Sequence, residues 1–241
     1  MNTKEIEKFY DDNLSVSDSS YESNRWKKTS QGRGSYKNTL AAITQYSLPY
    51  IPTSGCIFEL GPGPGTWTKV LLQQAPNVSY DLVDISSEML SQAKAALPPS
   101  ADISLIHSDI LDFVPTKQYD YFFSSRMIEY VPEKNIAVQR IAKAMKQGAQ
   151  GFIITKTPQY SRPFSKRLSS PIHQLQITDE ALVKLFVENG ISVKKVVLVA
   201  AVFPGLRNGV LDRLLTIILS PLPFSVSRLL SESYGLVLLK E

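Results

Sequence analysis

The sequence predicts one large α/β domain built on a doubly wound sheet, and three observations predict it. Short apolar runs alternate with helical patterns from 56 to 157, as repeated strand–helix–strand units require. A glycine-rich turn, Gly61-Pro62-Gly63-Pro64-Gly65, joins the first of those runs to a helix. Acidic residues, Asp84 and Asp109, stand at the ends of the second and third runs, where ligands collect in such sheets.

At 241 residues, with 43% hydrophobic and 20% charged side chains, the chain can bury a sizeable core and has an ordinary globular composition. The net charge of +4 and pI near 9.0 permit contact with anionic surfaces. No basic run is long enough to point to nucleic acid. The single cysteine, Cys56, excludes an internal disulfide and any cysteine-cluster metal site, and suits a reducing compartment. Lying in the first predicted strand, it reads as a small core residue rather than a nucleophile. The N-terminus lacks the apolar stretch of a signal peptide and nothing reaches the length of a membrane span. The expected location is the cytoplasm, with a peripheral membrane contact left open by the C-terminal third.

Taken in order, 2–12 reads as a short amphipathic helix with Ile6, Phe9 and Tyr10 at helical spacing. The stretch 13–35 is polar and reads as a loop that carries Tyr21, Arg25 and Trp26, with Trp26 placed to fold back over a ligand. A helix over 36–46 completes an N-terminal cap of 1–48, and 49–241 is the main domain. The run 56–60 is the first strand and ends beside Glu59; the glycine loop follows, then a helix from Thr66. Glycine lets the backbone turn sharply there and touch a ligand directly. The run 78–85 is the second strand, with Ser86 capping the next helix and Pro98-Pro99 closing it. Strands over 103–107, 119–123 and 152–156 follow, with a helix from Pro132-Glu133 to Lys146 that stops at Gly148. Thr178 caps a helix ended by Gly190; 191–203 and 234–240 read as the last two strands.

The spacing separates two cofactor classes. A dinucleotide fingerprint wants G-x-G-x-x-G, and its last position here is Thr66; the third glycine comes one residue early, at Gly65. With Glu59 before the loop the pattern is acidic-x-G-x-G-x-G. Together with Asp84, Asp109 and the turn Ser124-Ser125-Arg126-Met127, it makes 56–157 resemble the core of the class I S-adenosylmethionine-dependent methyltransferases, of the broad small-molecule type.

The resemblance implies a Rossmann-like sheet of seven strands, mostly parallel, with an antiparallel last strand. It implies S-adenosyl-L-methionine as cofactor, with Glu59, Gly61, Gly63 and Gly65 at its methionine part. Asp84 would hold the ribose hydroxyls, Ile85 and Met89 the adenine faces, and Asp109 the adenine amino group with Ile110 beside it. The Ser124 to Met127 turn, which carries Ser124 and Arg126, would approach the methionine and the transferring methyl. It also implies a substrate lid over 159–177. Relatives in the quinone branch often carry Glu-His where this chain has Glu129-Tyr130, so that histidine's role does not transfer.

Methyl transfer to a hydroxyl usually needs a base. The candidates are His173 in the lid segment and Glu129 and Tyr130 beside the fourth strand; His107 lies inside the third strand and reads as a core residue. No His/carboxylate cluster suggests a metal. The Asn/Asp-Pro-Pro-aromatic motif of nucleobase amine methylation is absent after the fourth strand, and Cys56 is misplaced for pyrimidine carbon chemistry. The expected activity is methyl transfer to a small-molecule or lipid-like acceptor, with oxygen as the expected atom and no nucleic-acid substrate. Two alternatives stand beside it: a cofactor-binding partner without turnover, soluble or membrane-docked, and an NAD-dependent oxidoreductase. An apolar helical insertion over 204–233 sets Asn208, Asp212, Thr216 and Ser220 on one ridge, with leucines, isoleucines and Val210 around the rest. That apolar surface must be covered by something: the pocket, a second subunit, or a membrane interface.

Overall fold

The computed structural model describes residues 5, 8, 22–158, 175–203 and 208–241. Its strands are β1 (Cys56–Leu60), β2 (Ser79–Asp84), β3 (Ile103–His107), β4 (Tyr119–Ser125), β5 (Met145–Lys156), β6 (Ile191–Ala201) and β7 (Ser231–Lys240). They form one sheet in the order β3-β2-β1-β4-β5-β7-β6. Pairing is parallel from β3 across to β5, and β7 runs antiparallel to both β5 and β6. This is the expected seven-stranded sheet with its antiparallel last strand.

The helices are α1 (Ser30–Tyr46), α2 (Thr66–Gln74), α3 (Ser87–Ala96), α4 (Lys134–Ala144), α5 (Asp179–Glu188), α6 (Gly209–Leu219) and the single turn α7 (Phe224–Ser227). Successive strand residues point to opposite faces, so Ile57 and Tyr121 enter one core while Phe58 and Phe122 enter the other. The β1 strand lies between β2 and β4 with all five residues buried. Side-chain caps set the helix starts: Thr29 Oγ1 accepts from the Gly32 N–H at 3.0 Å, and Ser86 Oγ from Met89 N–H at 3.1 Å. Thr178 Oγ1 accepts from Ala181 N–H at 3.3 Å.

Several boundaries differ from the expected ones. Helix α1 begins at Ser30, not 36, because Thr29 caps it and two glycines inside its first turns hide the helical pattern. A π-helical turn over Ser23–Lys27 precedes it where a loop was expected. Strand β5 begins at Met145, seven residues before 152, and α4 ends at Ala144. Its first half is mostly exposed and meets β4 across a register shift between Tyr119 and Tyr121, so it carries no buried-strand pattern. Strand β6 stops at Ala201. His107 is exposed rather than core, since β3 is an edge strand; its Nε2 lies 2.8 Å from the Ile85 carbonyl. The helix expected over 2–12 lies outside the described residues except for 5 and 8, as do residues 159–174 of the expected lid, His173 among them.

The insertion's orientation, left open by the sequence, is set in the structure. Helix α6 turns its polar ridge inward, with Asp212 and Thr216 buried, and leaves Val210, Leu214, Ile217 and Ile218 exposed. Within the chain, nothing described covers the apolar side. Among the described residues no helix is long and apolar enough to cross a membrane.

Candidate active site

The C-terminal ends of β1, β2 and β4 open onto a cleft of about 130 Å³. Its floor is the glycine loop. Gly61 has φ +70°, and a Cβ there would stand 2.7 Å from Met127 Cβ and Cγ, so only glycine lets the loop lie against the 125–127 turn. Gly63 has φ +55°, and a Cβ there would meet nothing nearer than Met89 Sδ at 4.0 Å. Gly63 and Met89 both line the cleft, so that space is available to a ligand lying directly on the backbone.

Asp84 ends β2 and ties the loop down. Its Oδ2 accepts from the Gly63 N–H at 3.1 Å and its Oδ1 from the Ser86 N–H at 3.0 Å. A carboxylate has about four lone-pair positions, so capacity remains for hydroxyl donors. Burial pushes its carboxyl up to about 6, against the pull of those backbone donors and of His107. Asp109 uses Oδ1 to accept from the Leu111 N–H at 2.9 Å, while Ile85, Met89 and Ile110 supply apolar walls between the two acids. Trp26 also lines the cleft. It packs edge-on against Trp67 at 5.5 Å, and Tyr36 stacks on Trp67 at 5.1 Å.

Arg126 lines the cleft with φ +66°, the one positive φ outside glycine among the described residues. Such a backbone costs about 1–3 kcal/mol and persists only where its surroundings enforce it. Here they do: its N–H donates to the Ile154 carbonyl at 2.8 Å, and its guanidinium donates three bonds of 3.0–3.1 Å to Glu129. The Glu129 carboxylate also accepts from the Lys156 N–H at 2.8 Å and the Thr155 hydroxyl at 3.3 Å. Burial works to raise the Glu129 carboxyl, but the Arg126 charge and these donors hold it below the usual carboxylate range.

The expected site residues therefore separate into two groups. Gly61, Gly63, Asp84, Ile85, Met89, Asp109, Ile110, Arg126, Trp26 and Tyr130 line the cleft. Glu59, Gly65, Ser124 and Glu129 stand behind its lining. Gly65 sets the left-handed turn that starts α2, and Ser124 Oγ donates to the Leu60 carbonyl at 2.8 Å, joining β4 to β1. Strand alternation gives the cleft Ser125 instead of Ser124. Glu129 is a fixed anion beneath Arg126, which gives it a positioning task rather than that of a base facing the cleft. Sequence reasoning missed Thr66 and Trp67; both directly follow the glycine loop, which was the available signal.

Unsatisfied polar atoms mark the same place. Thr66 Oγ1 and Ser125 Oγ are buried without a hydrogen-bond partner, and both residues line the cleft. Behind them Glu59, 1% exposed, leaves Oε2 unpartnered. Burial drives its carboxyl up to about 8, with the Thr68 hydroxyl opposing and the Asp84 charge adding. Buried polar groups are normally bonded, so an elongated ligand carrying hydroxyl and amine donors fits this lining. Among the described residues no group of three or more His, Cys, Asp or Glu could hold a metal.

Residues 57–148 match a family model described as a methyltransferase domain. A malonyl-[acyl-carrier protein] O-methyltransferase of Ilyobacter polytropus is 33% identical over 78 residues, covering 32% of this chain and 29% of that protein. A trans-aconitate 2-methyltransferase of Afipia carboxidovorans is 28% identical over 119 residues, covering 49% and 42%. The chain thus spans less than half the length of the curated relatives it matches. The fold is that of the N-methyltransferase NodS from Bradyrhizobium japonicum, solved with S-adenosyl-L-homocysteine. The TM-score is 0.66 at 13% identity, over 100% of this chain and 99% of that one.

Proposed function

We propose that this chain, which carries a methyltransferase domain on a class I S-adenosylmethionine-dependent scaffold, transfers a methyl group to an oxygen of a small-molecule or lipid-like acceptor. One observation carries the reading: two carboxylates, a glycine floor and two unpartnered hydroxyls converge on a single cleft. S-adenosyl-L-methionine, when bound, supplies an already activated methyl on a sulfonium. The task left to the protein is alignment and exclusion of water.

Each wall has a part in that task. Asp84 is the acceptor for the ribose hydroxyls and Asp109 for the adenine amino group, with Ile85, Met89 and Ile110 against the purine faces. The glycine loop, Thr66 and Ser125 hold the methionine end. Arg126, locked by Glu129, adds a fixed positive charge there. Trp26 and Trp67 close the cofactor side, and Tyr130 and Val131 wall the side left for the acceptor.

Oxygen is favoured by the name of the Ilyobacter relative, an O-methyltransferase. The cleft lining includes no histidine among the described residues, and Glu129 is engaged by Arg126. An acceptor already ionised at neutral pH, such as a carboxylate, needs no base to remove a proton, so it suits these walls better than an alcohol. The test is calorimetric titration with S-adenosylhomocysteine and with NAD, followed by methyl-labelled cofactor against a panel of carboxylic acids, phenols and lipid acids. Binding of the homocysteine product and label on a carboxylic acid are expected. Binding of NAD alone would overturn the reading, and cofactor binding without label on any acceptor would favour a non-catalytic partner.

A further inference from the structure

We propose that the outward face of α6, together with the basic residues on and just before α1, docks on an anionic lipid surface. The face is fixed where it is. Thr216 Oγ1 accepts from the Ala201 N–H at 2.9 Å and from Asn38 Nδ2 at 3.1 Å, and Asp212 Oδ1 accepts from the Phe203 N–H at 3.2 Å. At the start of α6 its backbone touches that of α1: a Cβ on Gly34 would stand 2.6 Å from the Gly209 carbonyl oxygen. Rolling the apolar side inward would break all of these contacts. The helix therefore presents Leu214, Ile217 and Ile218, half to two-thirds exposed and three or four positions apart on one side, and further along the chain Val226 and Leu229 are exposed as well, the last 86%. Scattered apolar side chains on a surface are ordinary; a contiguous ridge of them marks a binding surface.

Charge selects the occupant. From 23 to 50 the sequence contains no Asp or Glu, and from 203 to 230 it contains one, Asp212, which is buried. Lys27, Lys28, Arg33 and Lys37 are all exposed. Arg33 and Lys37 each precede by one position a residue in contact with α6, Gly34 and Asn38, so they leave α1 beside the patch. Arg228, at the far end, is neutralised by Asp179 at 2.7 Å and by Glu180, so the excess of positive charge sits at the α1 end. An apolar ridge edged by lysine and arginine complements an anionic bilayer, whose headgroups attract the rim while the ridge enters the interface. A second copy fits less well, because a two-fold pairing through this patch would bring two basic rims together.

The placement also suits the cleft. Lys156 at the end of β5 pairs with Ser233 at the start of β7, so the insertion leaves the sheet at the edge that carries the glycine loop. The turn bearing Trp26, which lines the cleft, leads directly into α1.

The experiment uses the full chain and reads no methyl transfer, so its failure is separate from failure of the proposed activity. Cosedimentation is measured with vesicles of phosphatidylcholine and of phosphatidylcholine with phosphatidylglycerol. Binding to the anionic vesicles is expected, weakening as added salt shortens the screening length from about 10 Å at 0.1 M to about 3 Å at 1 M. A Leu214→Gln, Ile218→Gln variant should bind on the order of tenfold more weakly or worse, with its thermal melt unchanged. A Lys27→Ala, Lys28→Ala variant should reproduce the effect of salt. A folded wild type that ignores both vesicles, or a glutamine variant that binds as well as wild type, would overturn the proposal. So would a dimer in sedimentation that the glutamine variant dissociates, which assigns the face to a second copy.

Discussion

Strand β1 and helix α6 both bury polar side chains, and they do so on opposite terms. In β1 every residue is inside, and Glu59 goes in with Oε2 unpartnered. In α6 Asp212 and Thr216 go in with hydrogen bonds to neighbouring backbone, while Leu214, Ile217 and Ile218 stay out. A buried polar atom without a bond is costly and rare, so the Glu59 region is a place prepared for something else. A buried polar pair that hydrogen-bonds the neighbouring backbone is structural, and it frees the opposite face for another task. The difference between the two regions separates a ligand site from a scaffold that exposes a surface.

The largest expected effect tests the bonded kind. Glu129, like Asp212, is a buried acid with its partners made, and removing it strands the Arg126 guanidinium in a left-handed backbone. Glu129→Ala should cost about 3–5 kcal/mol, the usual price of an uncompensated buried charge, read by chemical denaturation. A loss under about 1 kcal/mol would mean that the ion pair does not hold Arg126 in place. Within α6 the contrast becomes a pair of variants. Thr216→Val deletes the acceptor for Ala201 and Asn38 and should cost about 1–3 kcal/mol. Ile218→Gln, on the outward side, should change stability by less than about 0.5 kcal/mol. Equal costs would show that the apolar side is covered in solution.

The unbonded kind is tested at the cleft. Asp84→Ala should weaken S-adenosylhomocysteine binding by about 1–3 kcal/mol, as for loss of a charged acceptor. Because the Asp84 carboxyl sits at about 6, the affinity of the wild type should also fall as pH drops below that value and the carboxylate takes up a proton. Unchanged calorimetric affinity in the variant would remove Asp84 from the ribose.

The same contrast explains what the sequence could reveal. Strand β1, the glycine loop and Asp84 were legible because their identities follow from local rules: an apolar run, three glycines forced by backbone geometry, an acid at a strand end. The turn from Ser124 to Met127 was legible, but not that Ser125 rather than Ser124 lines the cleft, since strand phase is set by neighbours the sequence does not display. The bonded role of Glu129 was illegible because its partners Thr155 and Lys156 arrive from a strand, 26 and 27 residues away. Helix α6 had a legible period, but which side it turns inward was left open. Periodicity fixes which residues share a side, but hydrogen bonds to Ala201, Phe203 and Asn38 decide which side goes in.

Glu59 provides the finest separation of the two kinds of burial, through its proton. The folded protein holds its carboxyl at about 8, well above the ordinary 4.5. Between those values the folded state keeps a proton that the unfolded chain has released, so the Glu59 contribution to stability falls as pH rises through this window. Asp84 adds a similar slope, from 3.8 to about 6; from pH 6 to pH 8 the Glu59 part stands alone of the two. Glu59→Gln is neutral throughout and has no proton to lose. The difference in melting temperature, variant minus wild type, should therefore grow from pH 6 to pH 8 and level off above it. A constant difference across that range would mean that Glu59 is already ionised and bonded at neutral pH, and the distinction between β1 and α6 would disappear.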